Sequence, residues 1–322
     1  MKRVTAILSR WLRASPGVSR YRAHASRGLA AAPRLAILLV AAVVLGAATP
    51  PQYQIRVAVD LVNINFSATD NNGRMVPGLT AEDFTIEEDG KPQQVSLFSR
   101  ERELPLTLAL LVDISPSVEP VFKEEKRTAS AFLRSVLGKR DLALVIAFDR
   151  HVTLTQDYSE DLSSLTRAVG ELELSKGGTS LFDAVYLAAH DKLAREAGRK
   201  AIVILSDGVD TTSKYDMGKA MIAAQRSDAV IYSISNSGSP RTLRVMSEET
   251  GGAFFKINRS GDYEKVFDQI ALELRTQYSV AYHSTNAARD GKYRQIKIVP
   301  KNANLLVRAR KGYYGPTEAP GR

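Results

Sequence analysis

Two aspartates each close a short, uninterrupted apolar run: Asp113 after Leu106–Val112, and Asp207 just beyond Ala201–Leu205. The first opens the segment Asp113-Ile114-Ser115-Pro116-Ser117, the second Asp207-Gly208-Val209-Asp210. A third polar segment, Gly177-Gly178-Thr179-Ser180, stands immediately before a helical pattern. Carboxylates and hydroxyls with no nitrogen or sulfur donor suit a hard cation. Mg²⁺ takes octahedral oxygen ligands at about 2.0–2.1 Å and keeps several waters. Alternate positions along a loop let Asp113, Ser115 and Ser117 project toward one point. A cation ringed mostly by hydroxyls and water stays electron-poor and favours a carboxylate brought by another molecule. Taken singly, each of these groups also reads as a helix cap. The five positions together make a site. Asp183 and Asp210 lie close by in sequence and read as capping or exposed groups rather than outer-shell helpers.

The elements that must carry these loops are legible from residue 104 onward. Four near-continuous apolar runs, Leu106–Val112, Leu142–Phe148, Ala201–Leu205 and Ala229–Ile234, read as parallel strands buried on both faces. Amphipathic segments separate them. Phe122, Ala129, Phe132, Leu133 and Val136 fall at helical spacing, as do Leu181, Val185, Ala188, Ala189 and Leu193, and Met217–Arg226 supplies another helix. The charged run Lys123–Arg127 reads as the solvated face of the first helix. A last helix is marked by Tyr263, Val266, Phe267, Ile270 and Leu274, with Asp262 as its N-cap. Strand–helix alternation predicts an α/β domain with a doubly wound, mostly parallel sheet over 103–275. In such sheets ligands sit at the carboxyl ends of the strands, where Asp113 and Asp207 fall.

β-rich flanks surround this body. Residues 52–102 form a small unit in which Ile55, Val57, Val59 and Leu61 alternate with polar neighbours. The phase slips at Val62, Ile64, Phe66 and Ala68, which suggests a bulge. Asn72-Gly73 and Asp89-Gly90 supply turns. After residue 275 the period returns to two, with strands at Tyr278–Tyr282, Tyr293–Val299 and Leu305–Val307. Residues 276–315 are expected to pack with the N-terminal unit, because two or three strands alone make a poor core. Tyr313-Tyr314 reads as strand packing rather than a sugar platform.

The charge balance removes one class of partner. The net charge of +9 comes from a leader: residues 1–48 hold eight bases and no acid, leaving 36 bases against 35 acids elsewhere. A near-neutral body argues against nucleic acid as a partner. The leader joins this basic stretch to an apolar run, Leu35–Leu45, and to small residues ending at Ala48. It reads as a secretory signal or an uncleaved N-terminal anchor, the only membrane contact expected. There is no cysteine, which excludes disulfides, thiolate zinc sites and a cysteine nucleophile. The four histidines, His24, His151, His190 and His283, show no metal-ligand spacing.

At the three polar loops the chain resembles a von Willebrand factor A domain carrying a metal-ion-dependent adhesion site. That family's Asp-x-Ser-x-Ser falls on Asp113, Ser115 and Ser117, its loop threonine on Thr179, and its later aspartate on Asp207. The flanks GLTAEDFTIEEDGKPQ, DGKYR and RKGYYG are similar to those of the VWFA-related proteins of Acidobacteria, so that the matches span about residues 53–315. The resemblance implies that both serines ligate Mg²⁺, Mn²⁺ or Ca²⁺ directly, with Thr179 and Asp207 acting directly or through water. It also implies a non-enzymatic, exported adhesion module whose partner protein offers a carboxylate. Pro116 departs from the family's usual glycine and biases Ser115 away from helical angles. The alternatives are a metal-free scaffold and a Mg²⁺-dependent phosphohydrolase of the haloacid dehalogenase type. The latter resemblance would need an acid where Ser115 stands. A nucleotide-binding Rossmann enzyme fits less well still, because the sequence holds neither GxGxxG nor GxxxxGKS or GxxxxGKT.

Overall fold

The structure, a computed structural model, describes residues 61–100, 104–235, 240–259 and 262–318. The leader expected at 1–48 and the strand pattern at 55–59 lie outside them. Chain order begins with four strands: β1 (Leu61–Thr69), β2 (Phe84–Glu88), β3 (Lys91–Gln93) and β4 (Val95–Arg100). Asp89 and Gly90 take φ of 48° and 76°, the left-handed values that close the β2–β3 hairpin in two residues. Val62, Ile64, Phe66 and Ala68 of β1 are all buried, the period of two expected of a strand with one face inward.

The body follows as β5 (Leu106–Asp113), α1 (Glu119–Val136), β6 (Leu142–Phe148), β7 (Val152–Ser159), α2 (Leu162–Gly170) and α3 (Leu181–Tyr186). It continues through β8 (Arg199–Leu205), α4 (Met217–Arg226), β9 (Val230–Ser235), α5 (Pro240–Glu249), β10 (Phe254–Lys256) and α6 (Asp262–Thr276). One sheet runs β10-β9-β8-β5-β6-β7. Every pairing in it is parallel except β6 with β7. Even-numbered residues of β5 (Leu106, Leu108, Leu110, Val112) pack under α1, α2 and α6, and odd-numbered Ala109 and Leu111 under α3, α4 and α5. The sheet is therefore doubly wound, with six strands rather than the four that apolar runs reveal. The added edges explain the omission: β7 alternates half-buried with exposed residues, and β10 is only three residues long.

Two further corrections concern helices. The helix expected through Leu193 keeps α geometry only to Tyr186, then widens to a π-helix over Leu187–Lys192 and tightens to a 3₁₀ turn over Leu193–Arg195. On α1, the run Lys123–Arg127 is not a uniformly solvated face. Glu125 is only 1% exposed, inside the stripe formed by Val118, Phe122, Ala129, Phe132 and Val136.

The C-terminal strands are β11 (Tyr278–His283), β12 (Tyr293–Pro300), β13 (Leu306–Ala309) and β14 (Gly312–Tyr314). They interleave with the first four in two sheets, β13-β1-β11-β4 and β14-β12-β2-β3. Their shared core holds Ile64, Phe66, Phe84, Ile86, Tyr278, Val280, Ile296 and Ile298. Within that core Glu88 accepts hydrogen bonds from Tyr282 Oη at 2.8 Å, Tyr313 Oη at 2.9 Å and Ser284 Oγ at 2.5 Å, and faces Arg294 at 3.7 Å. Arg199, buried at the start of β8, donates to the carbonyls of Leu104 and Leu274. It thereby ties the chain entering the body to the chain leaving it. Among the described residues no helix is long and apolar enough to cross a membrane.

Candidate metal centre

The chain leaves β5 for β6 and β7 on one side, then returns to β8 on the other side of β5. The carboxyl ends of β5 and β8 therefore flank the sheet's switch point, where diverging connections leave a crevice. Asp113 is the last residue of β5, and Asp207 lies two residues past the end of β8. Both are buried.

Asp113 is held from two sides. Its Oδ1 accepts the Ser115 N–H at 2.9 Å and its Oδ2 accepts the Ser206 hydroxyl at 2.7 Å. Ser115 is extended, with φ −69° and ψ 159°, the conformation that Pro116 enforces on its predecessor. Pro116 then opens a single 3₁₀ turn, Pro116–Val118, that leads into α1. The proline has thus shaped the loop without separating its serines: Ser115 Oγ and Ser117 Oγ lie 3.0 Å apart. Neighbouring oxygens of an octahedron with 2.0–2.1 Å radii stand about 2.9 Å apart. The two hydroxyls are hydrogen-bonded to each other here, at a separation close to such an edge.

Backbone hydrogen bonds fasten the three loops to one another. Ser175 N–H donates to the Ile114 carbonyl at 2.7 Å, and Ser180 N–H to that of Asp149 at 2.6 Å. The Thr179 carbonyl accepts from Thr211 N–H at 2.8 Å and Thr212 N–H at 3.1 Å, while its own N–H donates to Thr211 Oγ1 at 2.9 Å. The paired glycines allow this approach: a Cβ on Gly178 would stand 2.7 Å from Thr211 Oγ1 and Thr212 Cγ2. Asp210 and Asp183 serve as cross-loop caps. Asp210 accepts Phe182 N–H at 3.1 Å in the first turn of α3, and Asp183 accepts Lys214 and Tyr215 N–H at 3.0 and 2.9 Å.

The structure therefore brings Asp113, Ser115 and Ser117 into one bonded cluster and sets Asp207 near enough to act on Asp113. It fastens Thr179 to the loop that follows Asp207. Burial pushes the Asp113 carboxyl above its usual range and the Asp207 charge adds to this, against opposing bonds from Ser115 and Ser206. Among the described residues the groups acting on Asp113 are hydroxyls, an amide and another acid. Two buried carboxylates beside the hydroxyls of Ser115, Ser117 and Ser206, with no base among the described groups acting on Asp113, fit a divalent oxygen-seeking ion. Among the described residues no three His, Cys, Asp or Glu side chains gather as a ligand set. The cluster here is a different kind, with hydroxyls in the majority.

Two residues of this neighbourhood escape sequence reasoning. Ser206 holds Asp113, and its Oγ also accepts Gly208 N–H at 3.0 Å. Its one signal was its place between a buried strand and Asp207. Glu125 is the other, and its signal was a spacing that completes an apolar stripe.

A doubly wound sheet with an oxygen-rich loop cluster at its switch point defines an α/β module whose chemistry sits on one edge. The model of the von Willebrand factor type A domain matches residues 107–269, just over half of the sequence, and the chain belongs to that family. An uncharacterized protein of Borreliella burgdorferi is 22% identical over 218 residues, and the match covers 62% of this chain and 62% of that relative's length. Among solved structures, a von Willebrand factor type A protein from Catenulispora acidiphila gives a TM-score of 0.48 at 13% identity, over 73% of this chain and 74% of the other. BatB, a conserved hypothetical protein from Bacteroides thetaiotaomicron, gives 0.45 at 15% identity, over 53% of this chain and 100% of the other. Proximal thread matrix protein 1 of the mussel byssus, with a zinc-occupied MIDAS motif, gives 0.49 at 15% identity, over 58% of this chain and 49% of the other.

Proposed function

We propose that the protein is a binding module of the cell envelope or exterior that captures an acidic group of a partner protein through a divalent cation. Asp113, Ser115, Ser117, Thr179 and Asp207 would hold the ion, Mg²⁺ or its close relatives Mn²⁺ and Ca²⁺. When bound, the cation supplies a Lewis-acidic position that a partner carboxylate completes. The chain's own residues do the rest. Ser206 and the Ser115 amide fix the Asp113 carboxylate, and the cross-loop bonds of Thr179 and Asp210 keep the crevice from spreading. The observation that carries this reading is the pair of buried carboxylates at the switch point, with no base among the described groups that act on Asp113. Binding rather than turnover is the function we assign. Export rests on the basic and apolar leader.

One observation favours a second reading, a metal-free scaffold: both oxygens of Asp113 already have donors from within the chain. Calorimetric titration of Mg²⁺ and Mn²⁺ into the protein separates the two. Partner capture is tested by retention from envelope extract with Mg²⁺, with EDTA and with Asp113→Ala. Retention should be lost in the last two, and capture indifferent to both sinks the cation-mediated mechanism.

A further inference from the structure

α1 begins directly after the Asp113–Ser117 loop, and its inward stripe runs Val118, Phe122, Glu125, Ala129, Phe132 and Val136 at steps of three and four. Five of these six are apolar. Glu125 alone carries an ionisable group into the interior, where an unpaired charge is strongly unfavourable. Its Oε1 accepts the Tyr263 hydroxyl of α6 at 2.7 Å, while its Oε2 is buried without a hydrogen-bond partner. Such orphaned atoms in a tightly packed interior call for an explanation.

The bases nearest in sequence do not supply one. Lys126 Nζ is turned to the carbonyls of Gly170 and Leu172 at 2.9 and 2.7 Å, and Arg127 is paired with Glu124 at 2.8 Å on the outer surface. Lys123 is exposed. The groups that act on Glu125 from the packed elements are Tyr263 on α6, Asp113 at the end of β5 and Asp207 beyond β8. Both charges among them have its own sign.

We propose that Glu125 is a buried acid coupled to the cation site without ligating the ion, protonated without the ion and ionised when a divalent cation is seated between Asp113 and Asp207. The inference rests on the cation reading given above and adds its regulation by pH. Without the ion, burial raises the Glu125 carboxyl to about 7, and the charges of Asp113 and Asp207 push the same way against the Tyr263 bond. A bound cation reverses the sign of the local field and makes the carboxylate the favoured form. The exchange balances as one cation taken up and one proton released to solvent. By linkage, cation affinity must then rise with pH until Glu125 is ionised in the free protein as well. A module of this kind holds its partner less tightly in acid.

The test is calorimetric titration of Mn²⁺ into the full chain, in two non-chelating buffers of different ionisation enthalpy, at about pH 6, 7 and 8. The wild type should release close to one proton per cation at the acid end and almost none at the alkaline end. Its dissociation constant should weaken about tenfold from pH 8 to pH 6. Glu125→Gln should abolish this release, flatten the profile to within about twofold, and bind no better at any pH than the wild type at pH 6. Tyr263→Phe removes a donor that favours the carboxylate, so the midpoint of the profile should move to higher pH. That shift is one a purely structural role would not produce, and it decides the matter if Glu125→Gln does not fold. Equal proton release from wild type and Glu125→Gln would overturn the role of Glu125 and leave the cation site standing. Absence of cation binding by the wild type at pH 8 would overturn both.

Discussion

The molecule buries carboxylates in two places and treats them in opposite ways. In the β-rich part, Glu88 has three hydroxyl donors and the guanidinium of Arg294 beside it. In the α/β body, Asp113 and Asp207 at the switch point and Glu125 on α1 are all buried, yet the charges acting among these three are negative. The first arrangement pairs its carboxylate with hydroxyls and a base of the same chain and serves packing. The second leaves negative charge unbalanced, and a protein tolerates that where a ligand supplies the missing positive charge.

The largest effect expected from this contrast is structural. Glu88→Ala strands Arg294 in the interior and should cost about 3–5 kcal/mol in urea unfolding. That loss should be the same with and without Mg²⁺; a Mg²⁺-dependent loss would erase the distinction between the two regions. Next is the pH dependence of the cation-free protein. Glu125 is raised from 4.5 to about 7 on folding, so its contribution to stability is complete below about pH 4.5 and lost as pH rises through 7. Between those limits the wild type should lose roughly 3 kcal/mol relative to Glu125→Gln. Parallel unfolding profiles for the two proteins would show that the acid is not uncompensated after all.

Cation addition gives a slightly smaller signal. At a hundredfold excess over its dissociation constant, Mg²⁺ should stabilise the wild type by about 2.7 kcal/mol in thermal or urea unfolding. Asp113→Ala should show no such gain, and a gain retained by that variant would place the ion elsewhere. The smallest effect is that of Ser206→Ala, which frees one oxygen of Asp113. It should weaken cation affinity by about 1 kcal/mol, roughly fivefold, with little change in the ion-free unfolding curve.

How far these features could be read without coordinates differs by element. The parallel strands were legible because burial on both faces writes a continuous apolar run, and the loops because they follow those runs directly. β7 was not, since an edge strand exposes alternate residues and its sequence VTLTQDYS resembles a polar connection. Glu125 was hidden for a related reason. It sits among Lys123, Glu124, Lys126 and Arg127, and only the spacing from Phe122 and Ala129 reveals that one of the five turns inward. The Asp113, Ser115 and Ser117 cluster was visible in spacing alone. The clasp between Thr179 and Thr211 joins loops from two different crossovers, which no local pattern encodes.

The interleaving of the chain's two ends has a mechanical meaning. β4 delivers the chain into the body and β11 receives it back, and these two strands lie side by side, Arg100 opposite Tyr278. The Arg199 clasp on Leu104 and Leu274 gathers the two leads just where they meet the body. Tension between the body and the β-rich part would reach both leads at once and act lengthwise on the β1–β11 pairing, because β4 is an edge strand that moves with β11. Hydrogen bonds strained in that direction share the load and yield together, unlike a hairpin peeled open one rung at a time.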